Sequence, residues 1–168
     1  MIIRPEAVED QEAVRYVNEQ AFGRAGEANL VESLHAAHKI ILSLVAVQDG
    51  EIVGHILFCP VVVEAKPERY DAVSLGPMAV LPQFQRQGIG SALVRSGLEA
   101  LRQSHHQVII VLGHPEFYSR FGFSPAGSFG VGCQFDVPDE AFMLAELSPD
   151  AGTGKSGIVI YPPEFTEV

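Results

Sequence analysis

Six consecutive residues, Gln85-Arg86-Gln87-Gly88-Ile89-Gly90, stand between a β-branched run and an amphipathic run. A loop that opens a helix leaves its first backbone N–H groups without intrahelical acceptors, at the positive end of the helix dipole. Such amides make a site for a phosphate or pyrophosphate. Gly88 and Gly90 permit the backbone angles and the close approach that the site needs. The same spacing also fits a plain strand-to-helix turn, so the residues alone leave both readings open. Two other phosphate motifs fail. The dinucleotide fingerprint GxGxxG would need a third glycine where Leu93 stands. Gly154-Lys155-Ser156 suggests the end of a GxxxxGK[ST] loop, but the first glycine would fall at Pro149. Gly152 to Gly157 is therefore expected to be a flexible hairpin connection.

The elements around this loop follow from periodicity. Met1 to Arg4 reads as a strand stopped by Pro5. Asp10 opens a helical pattern in which Ala13, Val14, Val17, Ala21 and Phe22 share a face, and Gly23 ends it. Glu27 to Ala37 fits a second helix, with Leu30, Val31 and Leu34 inward. Ile41 to Gln48 and Glu51 to Val63 read as strands joined by the hairpin signal Asp49-Gly50. Ala65 to Asp71 is a polar connection. Ala72 to Val80 is a strand interrupted at Gly76-Pro77, where a bulge or an edge is required because proline donates no ladder bond. After the glycine loop a helix runs to about Ser104 on the stripe Ile89, Leu93, Val94, Leu98 and Leu101. Val108 to Leu112 is a continuous apolar run, as in a buried parallel strand. Glu116 to Arg120 fits a short helix closed by Gly122. Ser124 to Pro138 reads as a long loop, and Phe142 to Leu147 and Gly157 to Tyr161 as two late strands. A hairpin followed by a βαβ unit makes the class α+β.

Two segments together carry a resemblance. Leu75-Gly76-Pro77-Met78-Ala79-Val80, Pro82 and Gln85 to Leu93 resemble the central motif of the GNAT acetyltransferase superfamily, strand, [QR]xxGx[GA], helix. Phe117-Tyr118-Ser119-Arg120-Phe121-Gly122-Phe123 resembles its second signature, a tyrosine followed shortly by Gly-Phe. Gly113-His114-Pro115-Glu116-Phe117-Tyr118 is most similar to a bacterial branch of predicted N-acetyltransferases.

The resemblance spans essentially the whole chain and implies one N-acetyltransferase domain over residues 1–168, with a mixed central sheet and flanking helices. It implies acetyl-coenzyme A as cosubstrate and direct transfer of the acetyl group to a primary amine, carried by a small molecule or a peptide. It places the acetyl and pantetheine arm on the backbone of Met78, Ala79 and Val80. The pyrophosphate falls on the amides of Arg86, Gln87, Gly88, Ile89, Gly90 and Ser91. His114, at the mouth of the βαβ crevice, is expected to touch the cofactor. Tyr118 matches the general acid that protonates the departing thiolate. Read as a residue alone, it is a core aromatic beside Phe117 and Phe121. A general base is sought among Glu27, His55, Glu64 and His114, and none is singled out. His55, on a central strand, reads as a satisfied core histidine. The other reading within this fold is a non-catalytic acyl-coenzyme A sensor, which would need neither Tyr118 nor a base.

Composition narrows the partners. The chain has 168 residues, 47% hydrophobic and 19% charged, which suits one globular domain. Its net charge of −10 gives no counterion-release attraction to nucleic acid or anionic membrane, so neither is expected. An anionic cofactor is compatible with that charge, because neutral amides and a helix dipole act locally. Two cysteines, Cys59 and Cys133, form no CxxC and have no clustered histidines, so no metal or disulfide framework is expected. The N-terminus has no signal-peptide core and no apolar run spans a membrane, which points to the cytoplasm. A monomer or homodimer is expected.

Overall fold

The structure, a computed structural model, describes residues 1–65, 68–152 and 156–167. The chain forms two compact units. The first holds Met1–Cys59, Gly76–Gly97 and the segment from Pro163; the second holds Pro60–Leu75 and Leu98–Pro162.

The first unit grows from one hairpin. Asp49 at φ 52° and Gly50 at φ 77° take the two positive-φ positions of a tight turn. The turn folds β2 (Leu42–Gln48) antiparallel onto β3 (Glu51–Glu64), from Leu42 opposite Phe58 to Gln48 opposite Glu51. β1 (Ile2–Pro5) pairs antiparallel with β2, Ile2 opposite Val47. Helices α1 (Gln11–Phe22) and α2 (Gly26–Ala36) form where the pattern predicts, with Val14, Val17, Leu30, Val31 and Leu34 buried, but Phe22 at the end of α1 is exposed and not part of the buried face. Asp10 does not cap α1; its carboxylate accepts Ala7 N–H at 2.7 Å and pairs with Arg4.

Alternation along β3 assigns its two faces. Leu57 and Cys59 cluster with Val14, Leu30, Val31, Leu34 and Val45 under α1 and α2. Gly54 and Phe58 turn the other way, to α3 (Ile89–Gln103). A Cβ on Gly54 would stand 3.1 Å from Ile89 Cγ2 and Leu93 Cδ1, and one on Gly97 would stand 2.3 Å from Phe58 Cζ. These two glycines let helix and strand approach closely, which fixes the N-terminal end of α3. Ile89, Leu93 and Val94 are buried there, as the apolar stripe predicts.

In the second unit β5 (Val108–Leu112) runs parallel to β4 (Tyr70–Val80), Val73 opposite Ile109 and Leu75 opposite Val111. The chain between them crosses over through α3, the βαβ arrangement the sequence predicts. β8 (Phe142–Glu146) lies antiparallel to β5, and β6 (Ser124–Pro125) antiparallel to β8. Val61, Val63, Val108, Ile110, Phe142 and Leu144 centre the core. Parallel and antiparallel pairings coexist, as in a mixed α+β sheet. Parallel pairing of β4 with β5 stops at Leu75, immediately before Gly76-Pro77, where the sequence requires an interruption.

Two expectations are corrected. The stretch Ser124 to Pro138 is not one loop; it contains β6 and β7 (Val131–Cys133). The late strands do not form a hairpin with each other. β9 (Gly157–Ile160) pairs antiparallel with the end of β3, Val62 opposite Ile160, and parallel with β7. Strands of two and three residues are too short for alternation to register. The partner of β9 lies far back in the chain, where local pattern cannot reach. Thr153 to Lys155, and with them Gly154 and Lys155 of the dismissed phosphate motif, lie outside the described residues.

Candidate active site

The glycine loop is built in the first unit. Leu81 N–H donates to Val53 O at 2.9 Å, and Pro82–Phe84 make one 3-10 turn. Gln85 Nε2 donates back to Val80 O at 3.0 Å, which ties the loop to the strand end. Arg86 at φ 63° and Gly88 at φ 86° are left-handed. The first bond into α3 runs from Ala92 N–H to Gly88 O at 3.0 Å. The amides of Arg86, Gln87, Gly88, Ile89 and Gly90, which precede it, have no acceptor among the described residues. Arg86, Gln87 and Gly88 are exposed, Gly90 and Ser91 half-buried, and Ile89 anchors the turn in the core. Successive unpaired N–H groups in left-handed and turn conformations form an anion-binding concavity. The donor set fits a pyrophosphate: neutral dipoles at a helix N-terminus, with Arg86 as the one cationic side chain. Met78 is half-buried and Ala79 and Val80 are buried on the part of β4 that feeds this loop.

His114 and Tyr118 belong to the second unit. Gly113 N–H donates to Ala141 O at 3.0 Å, closing the end of β5. His114 O accepts the N–H groups of Phe117 and Tyr118, each at 3.1 Å, and so starts the one-turn helix α4 (Pro115–Tyr118). The His114 ring is exposed. Tyr118 is 7% exposed. Its ring meets Phe117 edge-on at 4.9 Å and Phe123 at 5.7 Å. A Cβ on Gly113 would stand 2.4 Å from Tyr118 Cε2, so only glycine lets the ring lie there. The hydroxyl has no hydrogen-bond partner among the described residues, yet it is not one of the fully buried unpartnered atoms. Burial pushes its pKa up to about 12. The phenol therefore stays protonated through the neutral range with its O–H uncommitted.

The four base candidates separate. His55 is fully buried, and burial pushes its pKa down to about 3. It bonds Asn18 and Ser43, as a satisfied core histidine does. Glu27 is buried and paired with Arg24, whose hydrogen bond lowers the carboxyl pKa. Glu64 is exposed at the end of β3, 4.0 Å from Arg69. Cys59 is buried and Cys133 half-buried, both free thiols. Among the described residues no group of His, Cys, Asp and Glu could hold a metal ion. Sequence reasoning missed the role of Gln85, the packing of Gly113 on Tyr118, and the buried Glu6.

A family model described as an acetyltransferase (GNAT) domain matches residues 39–125. The uncharacterized N-acetyltransferase YjhQ of Escherichia coli (strain K12) is 39% identical over 163 residues, covering 94% of this chain and 90% of its own. The uncharacterized N-acetyltransferase YhbS of the same organism is 32% identical over 166 residues, 98% of each chain. A crystal structure of Escherichia coli YhbS, a GNAT family N-acetyltransferase in complex with CoA, aligns with a TM-score of 0.92, over 98% of this chain and 91% of that one, at 32% identity. A GNAT family acetyltransferase from Brucella melitensis in complex with acetyl-CoA aligns with a TM-score of 0.81, over 98% and 97%, at 33% identity. With the family model matched over residues 39–125, nearly full-length similarity to named N-acetyltransferases and a shared fold, this chain belongs to the GNAT acetyltransferase family.

Proposed function

We propose that residues 1–168 act as a single N-acetyltransferase domain that moves an acetyl group from acetyl-coenzyme A to a primary amine. The observation that carries this reading is the row of unpaired amides from Arg86 to Gly90 at the start of α3. Those amides, with Ser91 behind them, hold the pyrophosphate, and the backbone of Met78 to Val80 faces the acetyl and pantetheine arm. His114 borders the cofactor through its exposed ring. The cosubstrate supplies an acetyl thioester already activated for attack. The amine nitrogen forms the new carbon–nitrogen bond and gives up one proton to solvent; as the carbon–sulfur bond breaks, Tyr118 donates its phenolic proton to the sulfur, and solvent restores that proton. The relatives bound to CoA and to acetyl-CoA support this choice of cosubstrate. Among the described residues no helix is long and apolar enough to cross a membrane. The reading puts the protein in the cytoplasm, where acetyl-coenzyme A is available.

The test is calorimetry with coenzyme A on the folded protein and on Gly88→Val. Valine at φ 86° is strained and must reshape the loop. The expected result is saturable binding to the parent and a loss of at least about tenfold in the variant, the scale of one or more charge-assisted hydrogen bonds. Equal affinity in the two proteins would remove the loop from the cofactor site. Free thiol release across a panel of amines then separates an enzyme from a sensor.

A further inference from the structure

Inside the first unit four side chains form a hydrogen-bonded chain whose donors all point one way. Asn18 Nδ2 lies 3.0 Å from Val14 O and 3.1 Å from His55 Nδ1. A carbonyl only accepts, so the amide NH2 faces both, and His55 Nδ1 is an acceptor. The neutral ring then carries its proton on Nε2 and donates to Ser43 Oγ at 2.9 Å. The Ser43 hydroxyl donates in turn to Glu6 Oε1 at 2.5 Å. Glu6 ends the chain, held also by its own N–H on Ser43 O at 2.9 Å. Its side chain is 3% exposed, and Oε2 is fully buried with no partner. A carboxylate oxygen in that state calls for a donor.

Glu6 lines a cavity of about 290 Å3 walled by α1 and α2. Val14, Ala28 and Val31 give it apolar walls. The cation on its rim, Arg15, is already engaged by Glu32 at 3.0 Å, Asn29 at 3.1 Å and Glu19 at 3.5 Å. The remaining neighbour of Glu6 on this side is His35, half-buried, with Nε2 3.2 Å from Oε1. No residue of the 86–91 loop lines the cavity.

We propose that this cavity binds a small aliphatic primary ammonium ion. The His35 ring swings aside, the ammonium group takes its place on the Glu6 carboxylate, and the alkyl stem lies against Val14, Ala28 and Val31. On the carboxylate the ammonium replaces the His35 donor at Oε1 and offers a further N–H to Oε2, which has none. The volume, at the low end of roughly 300–1,000 Å3 for ligand sites, suits a short chain. This site is separate from acetyl transfer and does not depend on it.

The experiment is calorimetry and thermal melting with n-butylammonium, tetramethylammonium and 1-butanol at constant ionic strength. Saturable binding of n-butylammonium alone is expected, with a rise in Tm. Glu6→Gln should weaken it by roughly tenfold or more, as removal of a charge-assisted bond does. His35→Ala, which removes the competing ring from a half-buried surface position, should tighten it. Absence of saturable binding overturns the proposal, as does equal binding of tetramethylammonium, which has no N–H donor, or unchanged affinity in Glu6→Gln. Should Glu6→Gln not fold, the His35 variant decides: weaker or unchanged binding there overturns the displacement, and with it the site.

Discussion

Tyr118 is fixed by its ring, between Phe117, Phe123 and the bare backbone of Gly113, and this leaves its oxygen free for chemistry. Tyr118→Phe keeps that packing and removes only the proton donor. The variant should fold, bind coenzyme A with unchanged affinity and lose about 100- to 10,000-fold in turnover where thiolate departure limits the rate. Because the phenol titrates only at about 12, it should impose no alkaline fall in rate between about pH 7 and 10. A fall in affinity equal to the fall in rate would make Tyr118 a binding residue instead. His55 supports a second prediction at this scale. Its folded pKa of about 3 lies below its ordinary 6.5, so below about pH 6.5 the unfolded chain takes up a proton that the folded chain refuses. Stability from this group is full above about pH 6.5 and is lost as pH falls toward 3. Urea titrations should show a loss of about 2 kcal/mol between about pH 7.5 and 5, and a shallower slope in His55→Gln. Tyr118 was legible because its neighbours in sequence form a recognisable segment. Its proximity to Gly113 was not, since a missing Cβ leaves no mark on a hydropathy pattern. Glu6 was equally hidden: Ser43 and His35, its partners, lie 37 and 29 residues away in the chain.

At the scale of elements, α3 is the part on which the proposed cofactor site rests, because the unpaired amides lie at its start. Its position rests on two contacts in which glycine replaces a side chain, Gly54 against Ile89 and Leu93, and Gly97 against Phe58. Gly97→Ala puts a methyl group into the Phe58 ring. The expected cost is about 1–3 kcal/mol in urea unfolding, the range for overpacking a well-filled core. Phe58→Leu in the same chain should recover part of it, since the two positions touch and are not additive. Equal stability of Gly97→Ala and parent would mean that α3 shifts freely. The helices, the Asp49-Gly50 hairpin and the crossover were legible because each is periodic over several turns or marked by a local turn signal. β6, β7 and the true partner of β9 were not. Their pairing is decided by residues that meet only after folding, at Val62 to Glu64 and at Met143 and Leu144.

Across the whole molecule, β3, β4 and α3 each pass from one compact unit to the other, at Cys59, Leu75 and Gly97. The first unit is therefore assembled from three stretches of chain. On a ribosome that spatial fact becomes an order of events. Residues up to Cys59 already contain α1, α2 and the face of β3 formed by Leu57 and Cys59, so one side of the hairpin can be covered early. The other side, with Phe58, must wait for α3, and Phe165, which packs against the α1–α2 cluster, follows much later still. A nascent chain paused with Val80 just outside the exit tunnel presents Phe58 uncovered, and one paused after Gln103 does not. Brief proteolysis of stalled chains should cut β3 readily in the first and much less in the second. Equal cutting would place the protection in the later strands. The arrangement makes synthesis of the twenty or so residues around α3 the interval in which this protein is most exposed to chaperones and proteases.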